Sequence, residues 1–215
     1  GDGARLRLAA ARAAMTRLVE VTPDLSDLAA PDLTLVAGGA FAAAPGGSVV
    51  LAVADVVRRT GATQVALDHA RLLGPLGSID DPDERRDLVA DLADDLLAPL
   101  GSLLVAAGMP PRLRGRAATG TIILEPAAGD GNGTAGGAHG HGRFGPAREL
   151  ATGELAILEL APGSQATAVL EFRDSARIGR RARRFSVPVS GGLAGVVVDL
   201  RDVPLRLPDR RDRRR

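Results

Sequence analysis

A chain of 215 residues, 45% hydrophobic and 25% charged, is long enough and apolar enough to bury a core, which excludes wholesale disorder. Its formal net charge of +1 provides no global attraction to nucleic acid or to an anionic membrane. The absence of cysteine excludes disulfides, thiolate catalysis and Cys-ligated metals.

With four Phe and no Tyr or Trp, the core must be built from Ala, Leu and Val. The aromatic platforms on which single-strand binders stack bases are missing as well. All 27 basic residues are arginine, a bias that fits a GC-rich coding sequence. No apolar run approaches the roughly 20 residues of a membrane span. The N-terminus also lacks the basic-then-apolar layout of a signal peptide. A cytoplasmic protein without membrane or nucleic-acid contacts is expected. The missing Met start suggests a processed or truncated chain.

In chain order, residues 4–20 read as a helix with Leu8, Ala11, Met15 and Leu18 in one apolar stripe. The run Leu33-Thr34-Leu35-Val36-Ala37, stopped by Gly38-Gly39, has the form of a buried strand. Ser48 is placed to cap a helix over 49–59 with Val49, Val53 and Val56 on one face. Gly61 closes that helix, and 64–67 is the next strand. Asp81-Pro82-Asp83-Glu84 is the clearest helix start, with Asp81 as cap, Pro82 in the first position and Glu84 three after the cap. Leu88, Leu92 and Leu96 continue that helix over 83–97. Strand and helix signals therefore alternate from 33 to 98, which predicts neighbouring parallel strands with helices packed on the sheet.

Beyond residue 110 the signals become β-type, at 120–125, 154–160, 166–172, 184–189, 193–200 and 203–207, with turns at Gly163 and Gly191-Gly192. Residues 127–147 are so rich in glycine that no fixed structure is expected for them. The expected organisation is an α/β unit over 1–110, a β-rich unit over 111–208 holding that insert, and a polar tail over 209–215.

Chemistry has few places to reside. Gly38-Gly39 ends a strand where a missing Cβ lets a flat ligand approach the backbone; a tight turn is the plainer reading. No Walker loop or GxGxxG is present. His139 and His141 have no carboxylates around them and lie on the Gly-rich stretch, so no metal site is expected there. Asp68-His69 lacks a nucleophile elbow and is expected to be structural. Asp80, Asp81, Asp83 and Glu84 are explained by helix capping, and Asp94-Asp95 by solvation. The arginine run 177–184 is expected to be a solvated loop or a partner contact.

Two blocks carry a resemblance. LTLVAGGAF at 33–41, followed at 65–79 by VALDHARLLGPLGSI, resembles the glutamate mutase L (MutL-type) family. GGLAGVVVDLRDVPLRLP at 191–208 resembles the C-terminal signature of that family. The resemblance implies an actin-like, ribonuclease-H-like second lobe with a partly parallel sheet and helices, followed by the β-rich unit. Members look like actin-like ATPases that act as reactivating, chaperone-like factors for adenosylcobalamin-dependent glutamate mutase and related aminomutases. By that resemblance Gly38, Gly39, Ala40 and Phe41 are the adenosine-contacting element, ATP binding is weak, and the first lobe with its phosphate loops has no counterpart here. Expected partners are cobalamin-dependent mutase subunits or the rest of its own ATPase. No catalytic or metal residue is expected, and turnover by this chain alone is not expected. The alternative is a non-catalytic interaction scaffold with a degenerate nucleotide cleft.

Overall fold

The computed structural model describes residues 2–22, 29–109, 118–127 and 144–201. In chain order its elements are α1 (Asp2–Glu20), β1 (Leu33–Val36), α2 (Gly39–Ala42), α3 (Gly46–Val56), β2 (Gly61–Asp68), α4 (Leu73–Gly77), α5 (Pro82–Asp91), α6 (Ala93–Leu96) and β3 (Leu97–Val105). They continue as β4 (Ala118–Pro126), β5 (Arg148–Ala151), β6 (Leu155–Leu158), β7 (Gln165–Ile178), β8 (Arg180–Ser190) and β9 (Val196–Asp199). The protein is mixed α/β.

Two sheets form among these strands. The first has the order β1-β2-β3-β9-β6, and the second the order β5-β4-β7-β8. The expected parallel pair is present: β1 runs alongside β2 with Leu33 opposite Gln64 and Val36 opposite Leu67. The rest of the first sheet is mixed, with β2 antiparallel to β3, β3 parallel to β9 and β9 antiparallel to β6. The second sheet is antiparallel throughout.

The alternation of side chains across β9 explains the layering. Val197 joins a core with Val49, Val50 and Val53 of α3, while Val196 and Val198 join a second core with Ile122, Leu170 and Phe185 of the other sheet. A strand buried on both faces needs a continuous apolar run, and VVVD supplies it. The order of layers is therefore helices, first sheet, second sheet.

Several expectations change. A boundary near 110 does not separate two packing units, because β6 and β9 leave the expected β-rich segment and complete the first sheet. The helix expected over 83–97 breaks at Leu92, and Leu97–Val105 is a central strand. Pro99 sits in that strand where the register against β2 shifts, with Ala66 opposite Pro99 and Val65 opposite Gly101. A bulge tolerates proline inside a sheet, so Pro99 does not end the secondary structure but bends it. Helix α3 starts earlier than expected, with Pro45 and not Ser48 at the N-cap position and no side-chain cap, and ends at Val56; Gly61 opens β2 instead of closing the helix. Asp81 does cap α5, accepting from the amides of Asp83 and Glu84 at 2.8 and 3.2 Å, with Pro82 first in the helix. In α1, Leu8, Ala11 and Met15 pack on the helix-side core, but Leu18 remains 62% exposed. Residues 193–195, expected to begin the strand over 193–200, pack on β3 before β9 starts. The expected strand over 203–207, the polar tail, His139, His141, most of the Gly-rich stretch and the side chain of Asp94 lie outside the described residues.

Candidate functional site

Parallel β1 and β2 deliver their carboxyl ends to one rim, where open α/β sheets place their ligands. On that rim the chain leaves β1 through Gly38, with φ +114° and ψ +151°, a conformation natural only to glycine. The Gly38 carbonyl accepts from the amides of Phe41 and Ala42, each at 3.1 Å, which turns the chain into the single-turn α2. Gly38 and Gly39 are exposed and Ala40 is half-buried. Phe41, by contrast, is buried in the helix-side core, where it anchors the turn and does not face solvent. Of the four expected adenosine-contacting residues, Gly38 and Gly39 offer an open backbone.

The other half of the rim follows β2. The buried Asp68 carboxylate accepts from the amides of Leu72 at 3.0 Å and Leu73 at 3.2 Å, so its work is to hold the loop that leads into α4. That loop sets Arg71 in the left-handed region at φ +60° and points its guanidinium at Gly39; a Cβ built on Gly39 would lie 3.9 Å from Arg71 Cζ. The rim thus combines exposed glycine backbone with one exposed cation. Among the described residues no group of three or more His, Asp or Glu is placed to hold a metal ion.

Sequence reasoning missed a buried charge cluster beneath the helices. Asp55 Oδ2 lies 3.0 Å from Arg12 Nη2, and Asp55 Oδ1 lies 2.9 Å from Arg201 Nη1. Arg201 also grips Asp199 with two hydrogen bonds of 2.9 Å, from Nε to Oδ1 and from Nη2 to Oδ2. Arg58 Nη1 approaches Asp199 Oδ2 at 3.9 Å. The side chains of Asp55 and Asp199 are 1% and 0% exposed. The Arg201 guanidinium is held above its ordinary pKa, first by its hydrogen bond to Asp199 and further by the charges of Asp199 and Asp55, against the opposing effect of burial. The visible signal was a lone aspartate in the helix GGSVVLAVADV, since a buried carboxylate requires a partner.

The arginine run over 177–184 is not a loop. It forms the end of the β7–β8 hairpin, turning at Gly179 with φ +67°. An apolar groove lies elsewhere, of about 560 Å³, bordered by Gly47, Phe144, Ile157, Leu193 and Ser164. Ile157 and Leu193 are respectively 48% and 65% exposed there. Comparison with protein-family models, with curated proteins and with solved structures returned no match for this chain.

Proposed function

We propose that this chain is the nucleotide-responsive part of an accessory, chaperone-like factor for an adenosylcobalamin-dependent glutamate mutase or a related aminomutase. The mutase partner rests on the resemblance of 33–41, 65–79 and 191–208 to the MutL-type family. The actin-like character of the α/β layer and a cytoplasmic location belong to the same proposal. What the geometry adds is the rim: exposed Gly38-Gly39 backbone at the shared carboxyl ends of β1 and β2, with the Arg71 guanidinium beside it. That single observation carries the nucleotide reading.

The residues fit half of a nucleotide. An adenine ring can lie against Gly38-Gly39, because no Cβ stands in the way, and Arg71 supplies one cation for a ribose or phosphate oxygen. ATP, when bound, would supply the differential binding energy that biases one arrangement of the factor over another. Phe41 fixes the turn from behind and Asp68 fixes the loop that carries Arg71.

Half a cleft encloses little of its ligand, so ATP is expected to bind with high-micromolar to millimolar affinity, roughly −4 to −6 kcal/mol, without turnover. Gly39 has no positive φ and an added Cβ would meet the exposed, flexible Arg71 guanidinium at an ordinary contact distance of 3.9 Å, so Gly39→Val should fold normally while obstructing the ring. Titration of both proteins with ATP and magnesium by calorimetry tests the rim. Loss of binding in the variant supports it; equal binding sinks it. Recovery of activity by cobalamin-inactivated glutamate mutase, with and without this chain and ATP, tests the partner. The exposed groove at Phe144, Ile157 and Leu193 favours a second reading, a scaffold that docks a partner without nucleotide. Mutase recovery that is the same without ATP would select that reading.

A further inference from the structure

The end of the β7–β8 hairpin is rich in arginine, although the chain as a whole is nearly neutral. Between 171 and 184 six arginines stand against one glutamate and one aspartate, while the whole protein carries a formal charge of +1. β8 is the edge of its sheet among the described strands, so one side of its backbone is not paired within that sheet. At the hairpin end Arg177 and Arg181 are direct cross-strand partners. Like charges in that position oppose pairing. Arg177 Nη2 donates to Thr60 Oγ1 at 3.3 Å and Arg181 Nε to Ser175 Oγ at 2.9 Å, neutral hydroxyls that orient both guanidiniums without compensating them.

Arginines on an exposed edge strand are a common protection against edge-to-edge aggregation, and Pro188 serves the same end. That explanation covers Arg180, Arg181, Arg183 and Arg184. It does not cover Arg177, which faces Arg181 across the hairpin and is bridged on its other side to Ala107, so its backbone is not at an open edge. Arrangement of like charge across both strands of a hairpin, with an available edge beside it, favours a ligand that is both anionic and extended.

We propose that the β7–β8 hairpin docks an acidic, extended segment of a partner protein along β8. Its backbone adds to the edge while its carboxylates engage Arg177, Arg181 and their neighbours. Charge complementarity selects the acidic segment. A nucleic acid is disfavoured because Phe172 and Phe185, the aromatic residues of these strands, are both buried in the core and offer no stacking surface. This site is separate from the Gly38-Gly39 rim and stands without the nucleotide reading.

The test is fluorescence anisotropy with the whole 215-residue chain, using a labelled 12-residue peptide of alternating Glu and Val. The peptide should bind, more weakly as salt is raised. Arg177→Gln with Arg181→Gln should weaken it at least tenfold, whereas Arg5→Gln with Arg7→Gln on α1, an equal change of charge, should leave it unchanged. Arg181→Glu places an opposite charge against Arg177, so it should fold at least as firmly as the parent in thermal denaturation and still lose the peptide. Failure of the peptide to bind, equal weakening in the α1 variant, or tighter binding of a 12-nucleotide oligothymidine would each overturn the proposal. Full affinity of a peptide N-methylated at alternate residues would overturn strand addition.

Discussion

Removing a carboxylate from the cluster of Asp55 and Asp199 leaves arginines buried without their counter-charges, and the desolvation already incurred is then uncompensated. Asp55→Ala is therefore expected to destabilise the fold by about 3–5 kcal/mol in urea denaturation. Asp83→Ala, which loses an exposed 2.6 Å pair with Arg86, should change stability far less. Because the Arg201 pKa is raised on folding, its contribution is complete below the unfolded-state value and declines only as pH rises through the still higher folded one. The destabilisation by Arg201→Met should consequently be the same at neutral and at mildly alkaline pH. Gly101 is a second exacting position: its φ is +123°, and an added Cβ would collide with the Gly195 carbonyl oxygen. Gly101→Ala should cost at least about 2–3 kcal/mol by the same denaturation assay. Neither feature was fully legible beforehand. Asp55 could be flagged from its apolar neighbours, but Arg201 is distant in sequence and only the sheet brings it near. Nothing near Gly101 in sequence marks it, because the backbone that crowds it is that of Gly195, at the entry to β9.

Helix α1 illustrates what periodicity can and cannot convey. Its stripe predicted the packing of Leu8, Ala11 and Met15, yet no residue of α1 is fully buried, and the Arg12–Asp55 pair ties it to the buried charges. Few buried contacts mean a low local opening energy. Amides of α1 should exchange faster than those of β3 and β9, and Arg12→Ala should accelerate α1 exchange selectively. Uniform protection across α1 and β3 in a hydrogen-exchange experiment would refute this ordering. The Asp81 cap was readable because capping is local chemistry, four residues long. β3 was not readable, because Leu92 and Leu96 keep helical spacing up to its start and its Pro and Gly belong to a bulge that only the partner strand defines. The charged hairpin end shows the same limit: 177–184 was expected to be a solvated loop or a partner contact, and the turn at Gly179 and the pairing of Arg177 with Arg181 emerge only from the register. Arg181→Glu should raise stability by about 0.2–1 kcal/mol through that pair.

At the scale of the molecule, composition and strand–helix alternation disclosed the mixed α/β class and the parallel pair, both of which depend on neighbours in sequence. The closing of the first sheet by β9, between β3 and β6, is a long-range event and left no local mark. Gly192 and Gly195 make that insertion possible, since a Cβ on either would strike the backbone of Gly101 or Leu158. The chain truncated after residue 190 should therefore show no cooperative thermal transition, because both neighbours of β9 lose their partner. The same placement determines when the protein can first become native during its synthesis. β3 ends at Val105 and waits for Val196, an interval of about 5–20 s at the usual 5–20 residues per second. Throughout that interval an apolar strand, LAPLGSLLV, emerges with one edge unsatisfied. A nascent chain of this design is a natural client for holding chaperones, and its yield in the cell should depend on translation speed across the second half of the message.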